Sequence, residues 1–252
     1  MSLVSCTFKS SVLQSDTTYL AVIPDKVSEN IPVVYLLHGY SGNHSSWVRN
    51  TNCERCANER GVALIMPDAA NSFYTDMVYG PAYYTFITQE VFEHSHRLFR
   101  LSNRREATFV AGLSMGGYGA FKIALSNPAV YSAACSMSGA LCAHKYVEME
   151  SKKDLCNQIY GPNVVTVPDT DNLFCLAERI ERDGQPRPRL LQFCGTEDYL
   201  YDQNDNFRKF MTGRDFDYHY SECPGGHEWR LWGAWLPEAL DFFLGNSSDA
   251  HN

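Results

Sequence analysis

Ser114 lies in the segment Gly-Leu-Ser-Met-Gly, between an apolar run and a stretch with the pattern of a helix. Gly112, Gly116 and Gly117 would allow a sharp strand-to-helix turn that lifts the serine side chain out of the backbone. A hydroxyl held there can act as a nucleophile, and the N–H groups that begin the helix favour negative charge developing beside it. The alternative is a serine that only caps the helix. The placement between strand and helix favours the nucleophile.

A serine hydroxyl needs a base to take its proton, and His227 has the most suitable setting among the eight histidines. It follows the strand candidate FDYHYSEC and lies in the Gly-Gly loop of CPGGHEW. In isolation this could be an ordinary surface histidine. His94 and His96 lie on a charged helical face, where we expect them to be solvated. His144 lies in an irregular stretch and is a candidate substrate-binding residue.

The base in turn needs a carboxylate that fixes its tautomer, and we predict that this group is Asp198. The strand candidate RLLQFCG is followed by TEDYLY, so Glu197 and Asp198 lie in the loop after that strand. Asp198 gives the chain order Ser, Asp, His that α/β-hydrolases use. Glu197 could instead face solvent or cap the next helix, and Asp202 or Asp205 would serve if the strand ended later.

Acyl transfer also needs backbone donors for the developing oxyanion. The segment YLLHGYSGN, residues 35–43, ends another strand candidate with His-Gly and a loop of small residues. We expect the Tyr40 N–H to be one donor, with Ser41 as the nearest alternative, and the Met115 N–H to be the other. Ser41 is also a candidate substrate-binding residue. The alternative is a plain Gly-Ser-Asn turn.

Short apolar runs precede these residues, and such runs are typical of parallel strands covered on both faces. They are PVVYLLHG, VALIMPD, ATFVAGL, YSAACSMSG and RLLQFCG, while TTYLAVIP alternates like a half-buried strand. Helical patterns separate them, in PAYYTFITQEVFEHSHRLF, MGGYGAFKIALSNP and the final WGAWLPEALDFFL. The alternation predicts a doubly wound, mostly parallel α/β sheet that binds its ligand beyond the carboxyl ends of the strands.

Residues 141–188 interrupt this rhythm with Asp, Asn, Pro and charged residues. We expect an irregular, cap-like excursion over the active-site end of a single domain that comprises residues 1–252. The excursion is too short and too polar to roof a long acyl tunnel. It therefore predicts a pocket for short acyl groups.

Four motifs in this order, YLLHGYSGN, GLSMGGYGAF, CGTEDYLY and PGGHEW, resemble the esterase D and S-formylglutathione hydrolase superfamily. The resemblance extends over nearly the whole chain and is strongest to the bacterial tributyrin-esterase branch of acetyl, feruloyl and other short-acyl carboxylesterases. It implies the α/β-hydrolase fold and a catalytic triad of Ser114, Asp198 and His227. It also implies oxyanion donors from Met115 and the His-Gly-Tyr loop.

The oxyanion loop departs from one branch of that superfamily. S-formylglutathione hydrolases usually carry Leu-Thr-Cys where this chain has Tyr40, Ser41 and Gly42, which argues against glutathione thioesters as substrates. We therefore predict a serine carboxylesterase that acts through an acyl-enzyme on short-chain acetyl to butyryl esters, without cofactor or metal, with sugar-linked acetyl or feruloyl esters as further candidate substrates. The alternative is an S-formylglutathione hydrolase-like thioesterase, and a remote alternative is a non-catalytic hydrolase-fold binding protein.

Composition and charge exclude other classes of function. A net charge of −8 with dispersed Lys and Arg argues against a nucleic-acid partner. No apolar stretch approaches the roughly 20 residues that cross a bilayer, so we expect no membrane partner and leave homo-oligomerisation open. The start MSLVSCTFKSS lacks the features of a signal peptide, and nine scattered cysteines suit reduced thiols, so we expect a cytoplasmic location. Cys53 and Cys56 match Cys-x-x-Cys, but one pair alone is weak evidence for zinc or redox chemistry.

Overall fold

The computed structural model describes residues 1–25 and 29–245, and one eight-stranded sheet forms its centre. The strands are β1 (Ser2–Lys9), β2 (Asp16–Ile23), β3 (Val33–Leu37), β4 (Ala63–Pro67), β5 (Thr108–Leu113), β6 (Ala133–Met137), β7 (Arg189–Gly195) and β8 (Tyr218–Cys223). Their order in the sheet is β1-β2-β4-β3-β5-β6-β7-β8. The β1–β2 and β2–β4 pairs are antiparallel, and the five remaining pairs are parallel. The predicted mostly parallel sheet is confirmed.

Strands β2 to β8 lie within two residues of the predicted runs, whereas β1 was not predicted. All residues of β3, β4, β5 and β6 are buried, because helices cover both faces of this central region. In β1 only Cys6 is buried. An edge strand of this kind carries little apolar signal, and its pairing with β2 decides its conformation.

Helices lie on both faces of the sheet. They are α1 (Ser46–Asn50), α2 (Cys53–Arg60), α3 (Tyr83–Thr85), α4 (Phe92–Leu98), α5 (Met115–Ser126), α6 (Lys153–Tyr160), α7 (Leu173–Arg182), α8 (Tyr201–Met211) and α9 (Trp229–Leu244). The helix predicted after Pro81 is interrupted, since a π-helical segment, Phe86–Val91, joins α3 to α4. Within residues 1–25 and 29–245, no helix combines the length and apolar character that a membrane crossing needs.

The register of the parallel strands brings their carboxyl ends to one edge. Leu37 pairs with Gly112, and Met137 pairs with both Leu113 and Phe193. The residues that follow β3, β5, β6 and β7 therefore lie side by side. This edge is where the sequence predicts the site.

The expectation that His94 and His96 are solvated is wrong. The His94 ring stacks on Phe8 of β1 at 4.1 Å between centroids and lies within 3.0 Å of the Tyr19 hydroxyl through its Nδ1. The His96 ring stacks on Phe92 at 4.1 Å. Because β1 and β2 pack over this helix, the face that looked solvent-exposed in the sequence is half-buried.

The excursion, residues 141–188, is more regular than expected. Short 3₁₀ turns, Ala143–Glu148 and Glu150–Lys152, lead into α6, and the second half contains α7, which packs against α5. The stretch that was expected to be irregular therefore contains two helices, α6 and α7, whose amphipathic patterns the surrounding charges obscured.

A buried ion pair anchors the excursion to α5. The Lys122 ammonium pairs with Asp171, both side chains being buried, and donates a hydrogen bond of 2.7 Å to Thr75 Oγ1. The Tyr118 hydroxyl donates to the Asp171 carbonyl at 2.7 Å. Burial lowers the pKa of Lys122, and Asp171 counters part of that effect. The helix that follows Ser114 is thus tied at its middle to the excursion.

Candidate active site

Ser114 lies at a sharp turn between β5 and α5, where its backbone adopts φ 54° and ψ −119°. Residues other than glycine rarely adopt such angles, and those that do cluster at functional sites. A Cβ on Gly112 would lie 2.3 Å from the Gly116 carbonyl oxygen, and a Cβ on Gly116 would lie 2.6 Å from the Leu37 carbonyl oxygen. Only glycine fits these two positions. The Gly-x-Ser-x-Gly spacing therefore reflects steric need.

The Ser114 side chain does not cap α5. Its hydroxyl makes no capping hydrogen bond, whereas its N–H donates to the Met137 carbonyl at 2.9 Å. Its carbonyl accepts from the N–H groups of Gly117 at 3.0 Å and Ala140 at 3.1 Å. The backbone is fixed and the hydroxyl is left available, so the helix-cap alternative does not hold.

Asp198 and His227 form a hydrogen-bonded pair. His227 Nδ1 lies 2.9 Å from Asp198 Oδ2 and 3.1 Å from Oδ1, and the Asp198 side chain is fully buried. The Leu200 N–H donates to Asp198 Oδ1 at 2.8 Å. Burial alone would raise the pKa of Asp198, but the hydrogen bonds from His227 and Leu200 outweigh it and hold that pKa below its usual range. An ionised carboxylate thus fixes the Nδ1–H tautomer of His227, leaving Nε2 free to accept a proton.

The two loops that carry this pair are bonded to each other. The Glu197 N–H donates to the Gly225 carbonyl at 3.0 Å, and the Thr196 N–H donates to the Cys223 carbonyl at 3.0 Å. Gly225 has φ 140°, a conformation that strongly favours glycine. The Gly-Gly loop after β8 is therefore shaped to bring His227 to Asp198.

Tyr199 packs against the histidine. Its ring centroid lies 4.5 Å from that of His227. Burial and the charge of Asp198 raise the pKa of Tyr199, while the Ser114 contact opposes them. No Ser114–His227 hydrogen bond is present among residues 1–25 and 29–245. Serine hydroxyls often sit at longer range from their base until substrate binds.

The loop after β3 lies against Ser114. A Cβ on Gly39 would be 3.3 Å from Ser114 Cβ. The Ser41 N–H donates to Asn71 Oδ1 at 2.7 Å, whereas the Tyr40 and Met115 N–H groups have no acceptor in the described ranges. An occupied N–H cannot also stabilise an oxyanion. The contacts therefore favour Tyr40 and Met115 over Ser41 as oxyanion donors.

Within the described residues, the His144 ring makes no contact with Ser114, Asp198 or His227. It packs edge-on against Phe174 of α7, with 5.1 Å between centroids. Burial lowers its pKa, and Lys145 adds to that effect. The contacts of His144 are those of a packed side chain and give its predicted substrate-binding role no support.

Ser138 and Trp232 are site residues that the sequence reasoning missed. Trp232 Nε1 donates to Ser138 Oγ at 3.1 Å, and the Trp232 ring packs edge-on against His227 at 4.9 Å. The Ser138 hydroxyl is also among the groups that lower the pKa of Asp198. Ser138 has φ 50° and directly follows β6. The rule that selected residues after strand ends could have found it, but the Trp232 contact has no sequence signal.

The Cys-x-x-Cys pair lies on α2, and both of its thiols are free, like the other seven. Burial raises the pKa of Cys53 to about 11 and also raises that of Cys56. A thiol rather than a thiolate is a weak nucleophile and a weak metal ligand. These cysteines have the character of packing residues.

A strained serine and a histidine held by a buried carboxylate, at the carboxyl edge of a doubly wound sheet, define a serine hydrolase of the α/β-hydrolase fold. The chain belongs to the Esterase family, described as "Putative esterase", whose profile matches residues 10–243. The chain is thus an ester-hydrolysing enzyme, and its homologues support carboxylesterase activity.

Three relatives illustrate the range of this family. The chain is 28% identical to an acetyl esterase from Caldicellulosiruptor saccharolyticus, with 96% of this chain and 98% of the relative covered. It is similar to Staphylococcus aureus FphF, a fluorophosphonate-binding serine hydrolase, at 28% identity, a TM-score of 0.90 and coverage of 96% and 98%. It is also similar to the S-formylglutathione hydrolase FrmB from Staphylococcus aureus, at 28% identity, a TM-score of 0.86 and the same coverage.

Proposed function

We propose that the chain is a short-acyl carboxylesterase with Ser114 as nucleophile, His227 as base and Asp198 as the acid that orients it. The observation that carries this proposal is the strained Ser114, whose uncapped hydroxyl lies in the same site as the buried Asp198–His227 pair. The acetyl esterase relative supports the same activity.

The reaction would run in two halves. Ser114 Oγ attacks the ester carbonyl while His227 Nε2 takes its proton, and the Tyr40 and Met115 N–H groups stabilise the oxyanion. The tetrahedral intermediate expels the alcohol, which receives the proton from His227 and leaves an acyl-enzyme. A water molecule, deprotonated by His227, then attacks the acyl carbonyl and releases the acid and free Ser114.

The acyl pocket is expected to be blunt. Phe73 packs on Tyr118 at 5.9 Å and on Tyr146 at 5.6 Å, and Tyr118 begins the second turn of the helix that follows Ser114. These buried aromatic rings pack at the start of the helix that follows the nucleophile, which supports a short-acyl preference. Ser41, exposed on the adjacent loop, remains a candidate for contact with the alcohol group.

A panel of p-nitrophenyl esters from acetate to octanoate, with methyl ferulate and acetylated xylan, tests this proposal. A long apolar tunnel would reward extension by up to about fourfold per methylene, since each buried methylene contributes about 0.8 kcal/mol. We expect kcat/KM to peak between acetate and butyrate, and a steady rise through octanoate would contradict the blunt pocket. Ser114→Ala should abolish both hydrolysis and labelling by a fluorophosphonate, with loss of activity of up to about a millionfold.

Thioester hydrolysis is the second candidate, because FrmB is a structural relative at 28% identity. The same serine, base and oxyanion donors would serve a thioester. The ratio of kcat/KM on an S-acylglutathione to that on a matched acetate ester separates the two activities. We expect the oxygen ester to be the better substrate, because the oxyanion loop lacks the Leu-Thr-Cys stretch.

We also propose a cytoplasmic location, supported by nine free thiols, of which Cys56, Cys175 and Cys223 are only half-buried. Free thiols persist in reducing compartments. Cell fractionation followed by immunoblotting should find the protein in the cytoplasmic fraction.

A further inference from the structure

Lys152 lies over two aromatic rings at the edge of the candidate site. It ends the 3₁₀ turn Glu150–Lys152, and its Nζ lies 5.9 Å from the centre of the Tyr40 ring and 5.3 Å from that of Tyr146. Tyr40 carries one of the proposed oxyanion donors. The excursion thus brings a positive charge to the loop that would hold the reacting carbonyl.

Aromatic packing connects this lysine to the nucleophile. The Tyr40 ring packs 6.2 Å from Phe73, which in turn packs against Tyr118 and Tyr146. The Tyr118 N–H donates to the Ser114 carbonyl at 3.2 Å. We call Tyr40, Phe73, Tyr118 and Tyr146 the aromatic rim. Tyr40 remains 49% exposed, whereas the other three rings are buried, so the rim meets solvent at Tyr40.

The Lys152 ammonium carries donors that no protein group uses. Over residues 1–25 and 29–245 it has neither a carboxylate within 4 Å nor a hydrogen-bond acceptor, although it is half-buried. Its neighbour Lys153, by contrast, pairs with Glu150 at 3.5 Å and is exposed. Glu148 and Glu150 flank Lys152 in the chain and are both exposed. Lys152 is thus a cation without a carboxylate partner that lies against the Tyr40 loop, in a protein of net charge −8.

We propose that Lys152 binds an anionic oxygen group, such as a carboxylate, carried by the ester substrate. This inference rests on the proposed esterase function and names the substrate class of the same site. The rings of Tyr40 and Tyr146 hold the ammonium in place, so less rotamer entropy is lost when the anion binds. The Lys152 charge would also raise the local concentration of anionic esters.

Two matched pairs of esters test the proposal and show which side of the ester carries the anion. For the alcohol side, 4-acetoxybenzoate is compared with its methyl ester. For the acyl side, the p-nitrophenyl monoester of adipic acid is compared with p-nitrophenyl hexanoate. The ratio of anionic to neutral kcat/KM is measured for wild type and for Lys152→Met, which retains the apolar stem. Comparing the two ratios cancels intrinsic differences in ester reactivity.

We expect Lys152→Met to lower that ratio by about three- to tenfold for at least one pair, the range of a partly exposed charge-assisted contact. Lys152→Arg should retain most of the ratio, Lys153→Met should leave it unchanged, and added salt should weaken the wild-type preference. The proposal is overturned if Lys152→Met leaves both ratios unchanged, because kcat/KM is unaffected or falls equally for the neutral and anionic esters. It is also overturned if Lys153→Met lowers the ratios as much as Lys152→Met does. Failure of the esterase function itself is distinct, since the wild type would then hydrolyse none of the four esters, or Ser114→Ala would hydrolyse them as fast as the wild type.

Discussion

Ser138→Ala tests how the buried acid is supported, and the chain supplies its own control two residues away. Ser136 and Ser138 are both fully buried. Ser138 Oγ accepts from Trp232 Nε1 at 3.1 Å and is among the groups that lower the pKa of Asp198. Ser136 Oγ has no hydrogen-bond partner among the residues that the structure describes. The same substitution therefore removes two interactions at one position and none at the other.

The expected losses of stability and of kcat follow from the two groups that lose the Ser138 hydroxyl, the Trp232 N–H and the Asp198 carboxylate. Ser138→Ala leaves the buried Trp232 N–H without an acceptor, which costs about 1–3 kcal/mol of unfolding free energy. Asp198 also loses a hydroxyl that favours its charged form, and Trp232 is released from a contact that holds it against His227. We expect kcat to fall roughly three- to tenfold with little change in KM, because a hydrogen bond to a charged group contributes about 1.5–3 kcal/mol and only part of that acts in the transition state.

Urea unfolding and steady-state hydrolysis of p-nitrophenyl acetate measure both effects, and the rate of fluorophosphonate labelling reports on Ser114 reactivity without turnover. Ser136→Ala should be neutral or slightly stabilising and should keep full activity. The reasoning is refuted if Ser138→Ala retains wild-type kcat and stability, or if Ser136→Ala loses as much as Ser138→Ala.

Three further predictions concern the acid, the glycines and the thiols. Asp198→Asn should lower kcat by about ten-thousandfold, as in other serine hydrolases that lose the correct histidine tautomer, while Glu197→Gln remains near wild type. The folded-state pKa of Asp198 is lowered, so the stability that its ionised form contributes is present above about pH 4 and is lost as pH falls through that pKa. The free energy of unfolding of Asp198→Asn should therefore change less with pH in the acid range than that of the wild type. Gly116→Ala should abolish activity and destabilise the fold through its clash with backbone carbonyls, whereas Gly233→Ala, which has ordinary space inside α9, should stabilise it by up to about 1 kcal/mol in thermal unfolding. Iodoacetamide at pH 8 should leave activity unchanged and modify Cys53 only after unfolding, as mass spectrometry of the peptides would show.

The parts of the site predicted from the sequence are those fixed by local chain geometry. Parallel strands end at one edge, so the residues after β5 and β7 had to lie near each other, and Gly112 and Gly116 mark a turn that no other residue fits. Ser114 and Asp198 were found by that rule. His227 required one more step, the Gly-Gly loop after β8.

The errors arose where distant segments decide the environment. His94 was expected in solvent because β1 was not predicted, and Phe8 of β1 is the residue that covers it. Trp232 reaches Ser138 only because α9 packs across the sheet, 94 residues further along the chain. Such contacts depend on tertiary packing, which neither hydrophobic periodicity nor a local motif encodes.

The buried pair between Lys122 and Asp171 has a consequence for how enzymes of this kind can change. Removing one partner of a buried ion pair costs about 3–5 kcal/mol, a large share of the roughly 5–15 kcal/mol that keeps a domain folded. Neither residue can therefore be replaced alone without a serious loss of stability, although the two can be replaced together by apolar side chains. An excursion transplanted from a relative would have to present a carboxylate to Lys122 or arrive with a matching substitution on α5, so this one buried pair limits the evolutionary exchange of the region.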